Sequence, residues 1–412
     1  MSTEFDTVVL GAGLAGLSAA VTSATEGART LVLERAPAIG GSAAISGGYV
    51  WAIENEKALR REDPGRYQRH GLVVVDGYHD AIMWLSGFAP PVTGEERALA
   101  GRGHKFDMPL QLALLCRACT AAGGRIVTDA VVDDVTRHGD GYQLDVTTPA
   151  GRQRITTRSL VLATGGRQAD PDVRAGLVGG GFVPPLRSNP WSRGTGAALA
   201  AKLGASVNTD NTGFYGHLFA AGAEPLSPIE YIAFALYHSD SGVLLDASGR
   251  RFADETRGDH NNAMALAARG GRGLLLWSEK VQREAAETPF VPGSPQLDRW
   301  AYSRDRGGRV GVVDNALGFE LDAEARARLG SGRVFTAEVV PAVTFTFGGI
   351  EADEAGTALD VAGQPIDGLF PVGADLSDVY HEGYGGGLCL AVVSGRRAGR
   401  MAALRTKEVH RA

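Results

Sequence analysis

Asp6-Thr7-Val8-Val9-Leu10-Gly11-Ala12-Gly13-Leu14-Ala15-Gly16 is the stretch of the chain that most strongly determines its fold. The apolar run at 7–10 is typical of a strand buried on both faces, and a helical segment begins after the third glycine. In this setting Gly11 permits a tight turn, Gly13 lets a pyrophosphate approach the backbone, and Gly16 lets helix and strand pack closely. The helix N-terminus offers unpaired N–H groups to the phosphates. The pattern predicts a dinucleotide-binding strand-turn-helix unit.

A second apolar run, Leu31-Val32-Leu33, ends at Glu34, eighteen residues after Gly16. An acidic side chain at about this separation can accept a hydrogen bond from a ribose hydroxyl. The alternative is a structural strand-turn-helix unit with an ordinary surface glutamate, and the ordered spacing disfavours it. We therefore predict that Glu34 and the adjacent Arg35 contact the cofactor.

Glycine clusters recur along the chain, which has 57 glycines in 412 residues, about twice the usual share of roughly 7%. Such clusters between apolar runs indicate close approaches of the backbone to a ligand. Residues 40–48 form either a loop lying against a flat cofactor or a merely flexible loop, and residues 163–166 end a buried strand. The residues predicted to contact the cofactor are Gly11, Gly13, Leu14, Ala15, Gly16, Glu34, Arg35, Gly40, Gly41, Ser42, Ser46, Gly47, Gly48, Val131, Val132, Ala163, Thr164, Gly165, Gly373, Ala374, Asp375, Gly386, Gly387 and Leu388.

Composition excludes several classes of protein. The formal net charge is −6 and no basic block exceeds a pair, so nothing favours nucleic acid or an anionic membrane surface. No apolar stretch approaches the length of a membrane span. The first strand begins within seven residues of the N-terminus, which leaves no room for a signal peptide, and three cysteines fit a reducing compartment. We expect a cytoplasmic protein.

The pair Cys116-x-x-Cys119 is the one spacing that suggests a metal or a redox site. It lies inside an apolar helical segment and has no second pair of ligands. Buried free cysteines usually behave as small hydrophobic residues. We predict that both belong to the core and that the chain has no metal site.

The pattern divides the chain into three parts. Strands and glycine clusters dominate 1–204, helical stretches rich in Ala, Arg and Glu dominate 205–335, and glycine clusters return in 336–412. A chain of this length is expected to form two domains. We predict a discontinuous cofactor domain, built from both ends of the sequence, with a second domain inserted.

Taken together, these motifs resemble the fumarate reductase/succinate dehydrogenase flavoprotein superfamily, which includes the 3-ketosteroid dehydrogenases and tricarballylate-dehydrogenase-like proteins. The resemblance spans essentially the whole chain, and its carriers are the N-terminal glycines with Glu34 and the segments 40–48, 163–166, 194–205, 242–255 and 346–387. It implies an α/β fold with a discontinuous Rossmann-type FAD-binding domain and an inserted α+β capping domain that closes over the isoalloxazine ring.

Covalent attachment of flavin in this superfamily uses a histidine near the second Gly-Gly pair. The chain has no histidine before His70. The resemblance therefore implies non-covalent FAD. No second G-x-G-x-x-G lies on a βαβ unit of its own, so a built-in nicotinamide site is disfavoured, and the electron acceptor or donor is left open.

The carboxyl-terminal signature departs from the fumarate-reducing members. Where they carry a His and an Arg that hold a substrate carboxylate, this sequence has Tyr380 and Tyr384. A phenol hydroxyl suits a carbonyl oxygen as a single donor. The ketosteroid dehydrogenases are similar at Tyr384, where the hydroxyl and a glycine N–H polarise the substrate ketone. Residues 343–347 instead look most like the tricarballylate group.

The resemblance implies removal of a proton next to a carbonyl while a hydride leaves the neighbouring carbon, or the reverse reaction. The candidate proton-transfer groups are Tyr380 and His381 on the flavin side and Tyr215 and His217 on the cap side. A tyrosine base would need a pKa lowered from about 10 by nearby positive charge. Arg257 lies roughly where fumarate reductases have an acid-base relay, so we include it among the candidate catalytic residues.

Three functions are compatible with the sequence. The first is an FAD-dependent oxidoreductase acting on a C–C bond adjacent to the carbonyl of a small ketone, by α,β-dehydrogenation or ene-reduction. The second is a tricarballylate-dehydrogenase-like flavoenzyme acting on a carboxylate. The third is a non-catalytic FAD-binding protein. We favour the first because the two tyrosines would contact the substrate.

Overall fold

The computed structural model describes residues 3–64, 69–98, 100–179, 181–210, 213–289 and 296–409. Its strands are β1 (Glu4–Leu10), β2 (Thr30–Leu33), β3 (Tyr49–Ile53), β4 (Glu96–Ala98), β5 (Gly101–Lys105), β6 (Arg125–Val127), β7 (Val131–His138), β8 (Gly141–Thr148), β9 (Gly151–Leu162), β10 (Phe214–Ala220), β11 (Val243–Asp246), β12 (Gly273–Ser278), β13 (Val310–Val313), β14 (Val334–Thr346) and β15 (Leu369–Pro371). Its helices are α1 (Leu14–Thr25), α2 (Gly41–Ala44), α3 (Glu56–Glu62), α4 (Arg69–Ser86), α5 (Met108–Ala121), α6 (Pro171–Gly176), α7 (Thr195–Lys202), α8 (Tyr231–Phe234), α9 (Asp259–Ala267), α10 (Glu279–Glu287), α11 (Arg299–Arg304), α12 (Ala323–Leu329) and α13 (Gly387–Val409). Short 3₁₀ helices lie at Pro228–Glu230, Tyr237–Ser241, Glu255–Arg257 and Gly373–Asp375.

The first sheet is built around the N-terminal strand. Its order is β6-β2-β1-β9-β8-β7, and β15 pairs with the second half of β9. The strands β6, β2, β1 and β15 and the second half of β9 are parallel, whereas β7 and β8 form an antiparallel extension on its first half. The carboxyl ends of the parallel strands meet at one edge, where ligands of open α/β sheets bind.

The turn after β1 confirms the predicted strand-turn-helix unit. Val8 and Val9 are fully buried, as expected of a strand covered on both faces. Gly11 has a φ of +105°, which favours glycine. A Cβ on Gly16 would lie 1.9 Å from the carbonyl oxygen of Gly11, so this glycine permits the close packing of α1 on the turn.

Two glycines of α13 bring that helix unusually close to α1. A Cβ on Gly395 would lie 2.3 Å from the carbonyl oxygen of Ala15, and a Cβ on Gly399 would lie 2.3 Å from that of Ala19. The C-terminal helix therefore packs against the helix that follows the first glycine cluster. Both ends of the sequence thus contribute to one layer. Cys119, on α5, is fully buried in the same core, and burial raises the pKa of its thiol to about 11.

A second sheet comprises β10-β14-β12-β11, with β13 pairing to β14, and has its own hydrophobic core. The strand β14 runs from Val334 to Thr346, so the division predicted at residue 335 falls inside it. Ala205 and Val207, next to the division predicted at 205, form bridges to Asp360 and Ile350 near the first sheet. The three-part division stays a prediction. A third sheet has the strand order β3-β5-β4.

Within the part of the chain that the structure describes, no helix combines the length and the apolar character that a membrane crossing requires.

We expect Gly399→Ala to destabilise the protein by about 1–3 kcal/mol, because the new methyl group overpacks the contact between α13 and the backbone of Ala19. Urea unfolding followed by far-UV circular dichroism measures the change. Gly176→Ala is the control, since Gly176 is also a helical glycine, at the end of α6, but nothing lies within 4 Å of the position of its Cβ. Equal unfolding midpoints for the two variants would contradict the close helix contact.

Candidate active site

A cavity of about 440 Å³ opens at the carboxyl edge of the first sheet and extends to the second sheet. Its wall at one end is made by the turns after β1, β2 and β9 and the 3₁₀ turn after β15. At the other end the wall comes from β10, β14 and the first residues of α8 and α9. We call these the nucleotide end and the substrate end.

The nucleotide end is organised by Glu34. Its carboxylate accepts hydrogen bonds from the backbone N–H groups of Ala12, at 2.7 Å, and Ala36, at 2.8 Å. These bonds fix the buried carboxylate beside the glycine turn and leave further lone pairs available to a hydroxyl. Arg35 donates from Nη1 to Oγ1 of Thr195 at 3.1 Å, and both residues line the cavity. Thr195 was not among the residues predicted from the sequence to line this site.

Most residues predicted to contact the cofactor line this cavity. They are Gly11, Gly13, Leu14, Ala15, Glu34, Arg35, Gly41, Ser42, Ser46, Gly47, Gly48, Val132, Ala163, Thr164, Gly165, Gly373, Ala374, Gly387 and Leu388. The exceptions, which do not line it, are Gly16, Gly40, Val131, Asp375 and Gly386.

The exceptions support the wall from behind. Successive strand residues point to opposite faces, so Ala130 and Val132 line the cavity and Val131 does not. Gly40 donates its N–H to the carbonyl of Ala12 at 2.9 Å. A Cβ on Gly386 would lie 1.8 Å from the carbonyl oxygen of Trp51. The glycines are required there by neighbouring backbone.

Asp375 acts on the turn after β9 rather than on the cavity. Its buried carboxylate accepts hydrogen bonds from the N–H and Oγ1 of Thr164 and from the N–H groups of Gly165 and Gly166. Burial raises the pKa of Asp375, and these hydrogen bonds oppose the rise. The residue holds the strand end in place.

Ser42 and Ser46 lie on the glycine-rich loop, as predicted, but both already have protein partners. The hydroxyl of Ser42 lies 2.6 Å from that of Ser188 and accepts from Nδ2 of Asn189 at 2.7 Å. The hydroxyl of Ser46 donates to the carbonyl of Ala43. The segment around Asn189, which sequence analysis missed, therefore anchors this loop from across the cavity.

Aromatic rings dominate the substrate end. The ring of Tyr384 stacks on that of Tyr215, with centroids 3.6 Å apart, and Trp51 stacks beyond it at 5.9 Å. The N–H of Gly387, the first residue of α13, donates to Oη of Tyr384 at 2.8 Å. Burial raises the pKa of Tyr384 to about 12, so its hydroxyl keeps its proton at neutral pH. The hydroxyl of Tyr384 is thus held in place at the first residue of α13.

Tyr215, His217 and Asp259 form a hydrogen-bonded row beside this point. Alternate residues of β10 place Tyr215 and His217 on one side, with Oη of the tyrosine 2.9 Å from Nε2 of the histidine. Nδ1 of His217 is hydrogen-bonded to the carboxylate of Asp259, the first residue of α9. Burial lowers the pKa of His217 and raises that of Tyr215 well above its ordinary value. The imidazole of His217 is therefore neutral, and the phenol of Tyr215 keeps its proton.

Sequence analysis found Tyr215 and His217 but missed Asp259, His260, Arg187 and Tyr237, all of which line the cavity. Nε2 of His260 lies 3.1 Å from the carbonyl oxygen of Glu382, and burial lowers the pKa of His260 to about 4. No spacing in the sequence relates these residues to one another. The adjacent pair Asp259-His260 is the one sequence feature that could have indicated part of this site.

Three predicted catalytic residues lie outside the cavity wall. Tyr380 is buried and its hydroxyl donates to the carbonyl of Gly386 at 3.3 Å. The backbone N–H of His381 donates to the carboxylate of Asp63, which holds the 381–383 loop. Arg257 is exposed. Tyr384 and Asp259, which are close to these residues in sequence, line the cavity, whereas Tyr380, His381 and Arg257 do not.

The chain matches the family described as FAD binding domain over residues 6–82 and 90–389. It is 25% identical over 465 residues to the NADH:fumarate oxidoreductase of Klebsiella pneumoniae, a match that covers 98% of this chain and 48% of that protein. The chain therefore spans about half the length of that relative. It is 22% identical to the 4-oxocyclohexanecarboxylate 2-dehydrogenase of Sinomonas cyclohexanicum, covering 93% of this chain and 89% of that one.

Solved structures have the same fold. The 3-ketosteroid delta1-dehydrogenase from Sterolibacterium denitrificans, in complex with 1,4-androstadiene-3,17-dione, superposes with a TM-score of 0.75 at 14% sequence identity. The match covers 98% of this chain and all of that one. The family match and these relatives confirm the resemblance found in the sequence. The chain belongs to the FAD binding domain family, within the fumarate reductase/succinate dehydrogenase flavoprotein superfamily, and is an FAD-dependent oxidoreductase.

Proposed function

We propose that this enzyme oxidises or reduces a C–C bond adjacent to the carbonyl of a small molecule, by α,β-dehydrogenation or its reverse. The observation that carries the proposal is the pairing of two elements at the substrate end. One is the hydroxyl of Tyr384, which the N–H of Gly387 holds in place, and the other is the row formed by Tyr215, His217 and Asp259. The first suits a carbonyl oxygen, and the second suits transfer of a proton.

The residues at the nucleotide end fit non-covalent FAD. Gly11 and Gly13 bring bare backbone to the cavity wall, and Glu34 offers unused lone pairs for a ribose hydroxyl. The loop at 47–49 carries no histidine for covalent attachment, and the histidines that line the described cavity, His217 and His260, come from the second sheet and α9. Bound FAD would accept or donate the hydride.

A carbonyl oxygen that accepts from the hydroxyl of Tyr384 would gain negative charge as the adjacent C–H bond breaks. Donors fixed in advance stabilise such charge most strongly where water is excluded. Because Gly387 begins α13, the positive end of the helix dipole also faces the oxygen. Tyr384 acts as a donor since burial keeps it protonated.

Tyr215 is the proposed proton-transfer residue. Nδ1–H of the neutral His217 donates to Asp259, which leaves Nε2 free of a proton and able to accept one from the hydroxyl of Tyr215. In dehydrogenation the oxygen of Tyr215 takes the substrate proton as its own proton passes to His217. The reduction direction reverses both transfers. Asp259 keeps the imidazole in the required tautomer.

The second sheet and its helices would act as the capping domain, because β10 and β14 form the wall of the substrate end. A carboxylate substrate is the second candidate. Residues 343–347 resemble the tricarballylate group, and Thr344 and Phe345 line the cavity.

We expect Tyr384→Phe to slow the bleaching of the flavin absorbance by a saturated cyclic ketone about 100- to 1,000-fold, since the hydroxyl donor to the developing oxyanion is lost. Anaerobic stopped-flow absorbance measures the rate. Tyr142→Phe is the matched control, because Tyr142 is also buried and its hydroxyl donates to Asp367, but it does not line the cavity. Bleaching by polycarboxylates alone would favour the second candidate, and no bleaching by either class would contradict the proposed function.

We expect His217→Gln to lower the rate of dehydrogenation about 100- to 10,000-fold, because the proton acceptor for Tyr215 is removed. In the unaltered enzyme the rate should stay constant as the pH falls to the ordinary imidazole pKa of 6.5 and should decline only below it. The reason is that burial lowers the pKa of His217, and only the neutral ring accepts a proton. Steady-state kinetics across pH measure both effects.

The matched control for His217→Gln is His138→Gln, at an exposed position on β7. It should leave both the rate and the pH profile unchanged. An unaltered profile in His217→Gln would exclude His217 from the proton transfer.

A further inference from the structure

Arg187 lies in the wall of the substrate end, and its backbone is fixed there by β14. Its N–H donates to the carbonyl of Val343 at 2.8 Å, and the N–H of Val343 donates to the carbonyl of Pro185 at 2.9 Å. The segment thus adds a short parallel bridge to the second sheet. Arg187 therefore reaches the cavity from a position that precedes the second sheet in sequence.

The hydrogen-bond partners of this guanidinium are neutral. Nη1 donates to Oγ1 of Thr344 and Nη2 donates to Oη of Tyr237, each at 3.0 Å. Nε is buried and has no acceptor. Among the described residues no carboxylate forms an ion pair with Arg187, and two of its five N–H donors are occupied.

Among the described residues that line the substrate end, Asp259 supplies the carboxylate near Arg187, and it is hydrogen-bonded to His217. The guanidinium of Arg299 lies 5.0 Å from the centroid of the Tyr237 ring and places a second cation behind that ring. Burial of a guanidinium without an ion-paired carboxylate is unfavourable, so the site favours an anion in the cavity.

We propose that Arg187 binds a carboxylate of the substrate, so that the substrate is an oxo acid with its carbonyl oxygen at Tyr384 and its carboxylate at Arg187. The inference rests on the proposed function and specifies its substrate class. A guanidinium fork matches the two oxygens of a carboxylate, and the bonds to Thr344 and Tyr237 hold that fork in a fixed direction. Ketone and carboxylate recognition are then properties of one site.

Binding of an unreactive anion tests the site without turnover. Isothermal titration calorimetry of the holoprotein with cyclohexanecarboxylate, and with neutral cyclohexanecarboxamide, gives the affinity for each compound. Arg187→Gln should weaken carboxylate binding about 10- to 100-fold, as expected for loss of a charged hydrogen bond, and should change carboxamide binding less than about 3-fold. Arg193→Gln, on an exposed arginine of the same segment, should change neither.

Turnover provides the second measurement. The unaltered enzyme should be reduced by 4-oxocyclohexanecarboxylate with a kcat/KM at least about 10-fold above the kcat/KM for the methyl ester of that acid. Arg187→Gln should remove this difference, mainly by lowering the kcat/KM for the acid. Equal kcat/KM values for acid and ester in the unaltered enzyme, or equal losses on both in Arg187→Gln, would overturn the inference. So would carboxylate binding that does not depend on Arg187.

The two proposals fail in different ways. If neither keto compound reduces the flavin but Arg187→Gln still weakens cyclohexanecarboxylate binding, the anion site is supported and the proposed reaction is wrong. If both compounds reduce it equally, the reaction is supported and the anion site is wrong.

Discussion

The close backbone contact between Gly11 and Ala163 is the constraint on which the cofactor end of the molecule depends. The parallel strands β1 and β9 end side by side, and the N–H of Ala163 donates to the carbonyl of Leu10 at 2.9 Å. A Cβ on Gly11 would lie 2.3 Å from the carbonyl oxygen of Ala163, so a side chain there would separate the two strand ends. Asp375 holds the following turn from the other side. The cavity begins where these turns leave the backbone exposed to a ligand.

The substrate end depends on a different kind of interaction, which is the mutual satisfaction of buried polar groups. Burial raises the pKa of Tyr215 and lowers that of His217, so both side chains are neutral. The carboxylate of Asp259 accepts from the imidazole of His217 and thereby orients that ring toward Tyr215. Such a row is stable in a low-dielectric site because each member has a partner. Arg187 is the exception, since its partners are neutral and its charge is left for a ligand.

Local sequence predicts those parts of the site in which chain neighbours act together. Glu34 was placed correctly in the cavity wall because one βαβ unit sets its distance from the glycines. Val131, also predicted to contact the cofactor, lies outside that wall, because strand alternation depends on a register that spacing alone does not reveal. Tyr380 and His381 share a glycine-rich loop with Tyr384, but packing turns only the last of these side chains to the cavity.

The sequence by itself determined the first sheet, the glycine turns, the family and FAD, because each depends on short-range patterns that a strand-turn-helix unit imposes. The extent of β14 and the meeting of His217 with Asp259 were decided by tertiary structure. These contacts join residues far apart in the chain, and no local spacing encodes them. The same holds for Arg187, whose neutral partners Thr344 and Tyr237 reach it only once the second sheet has packed around it.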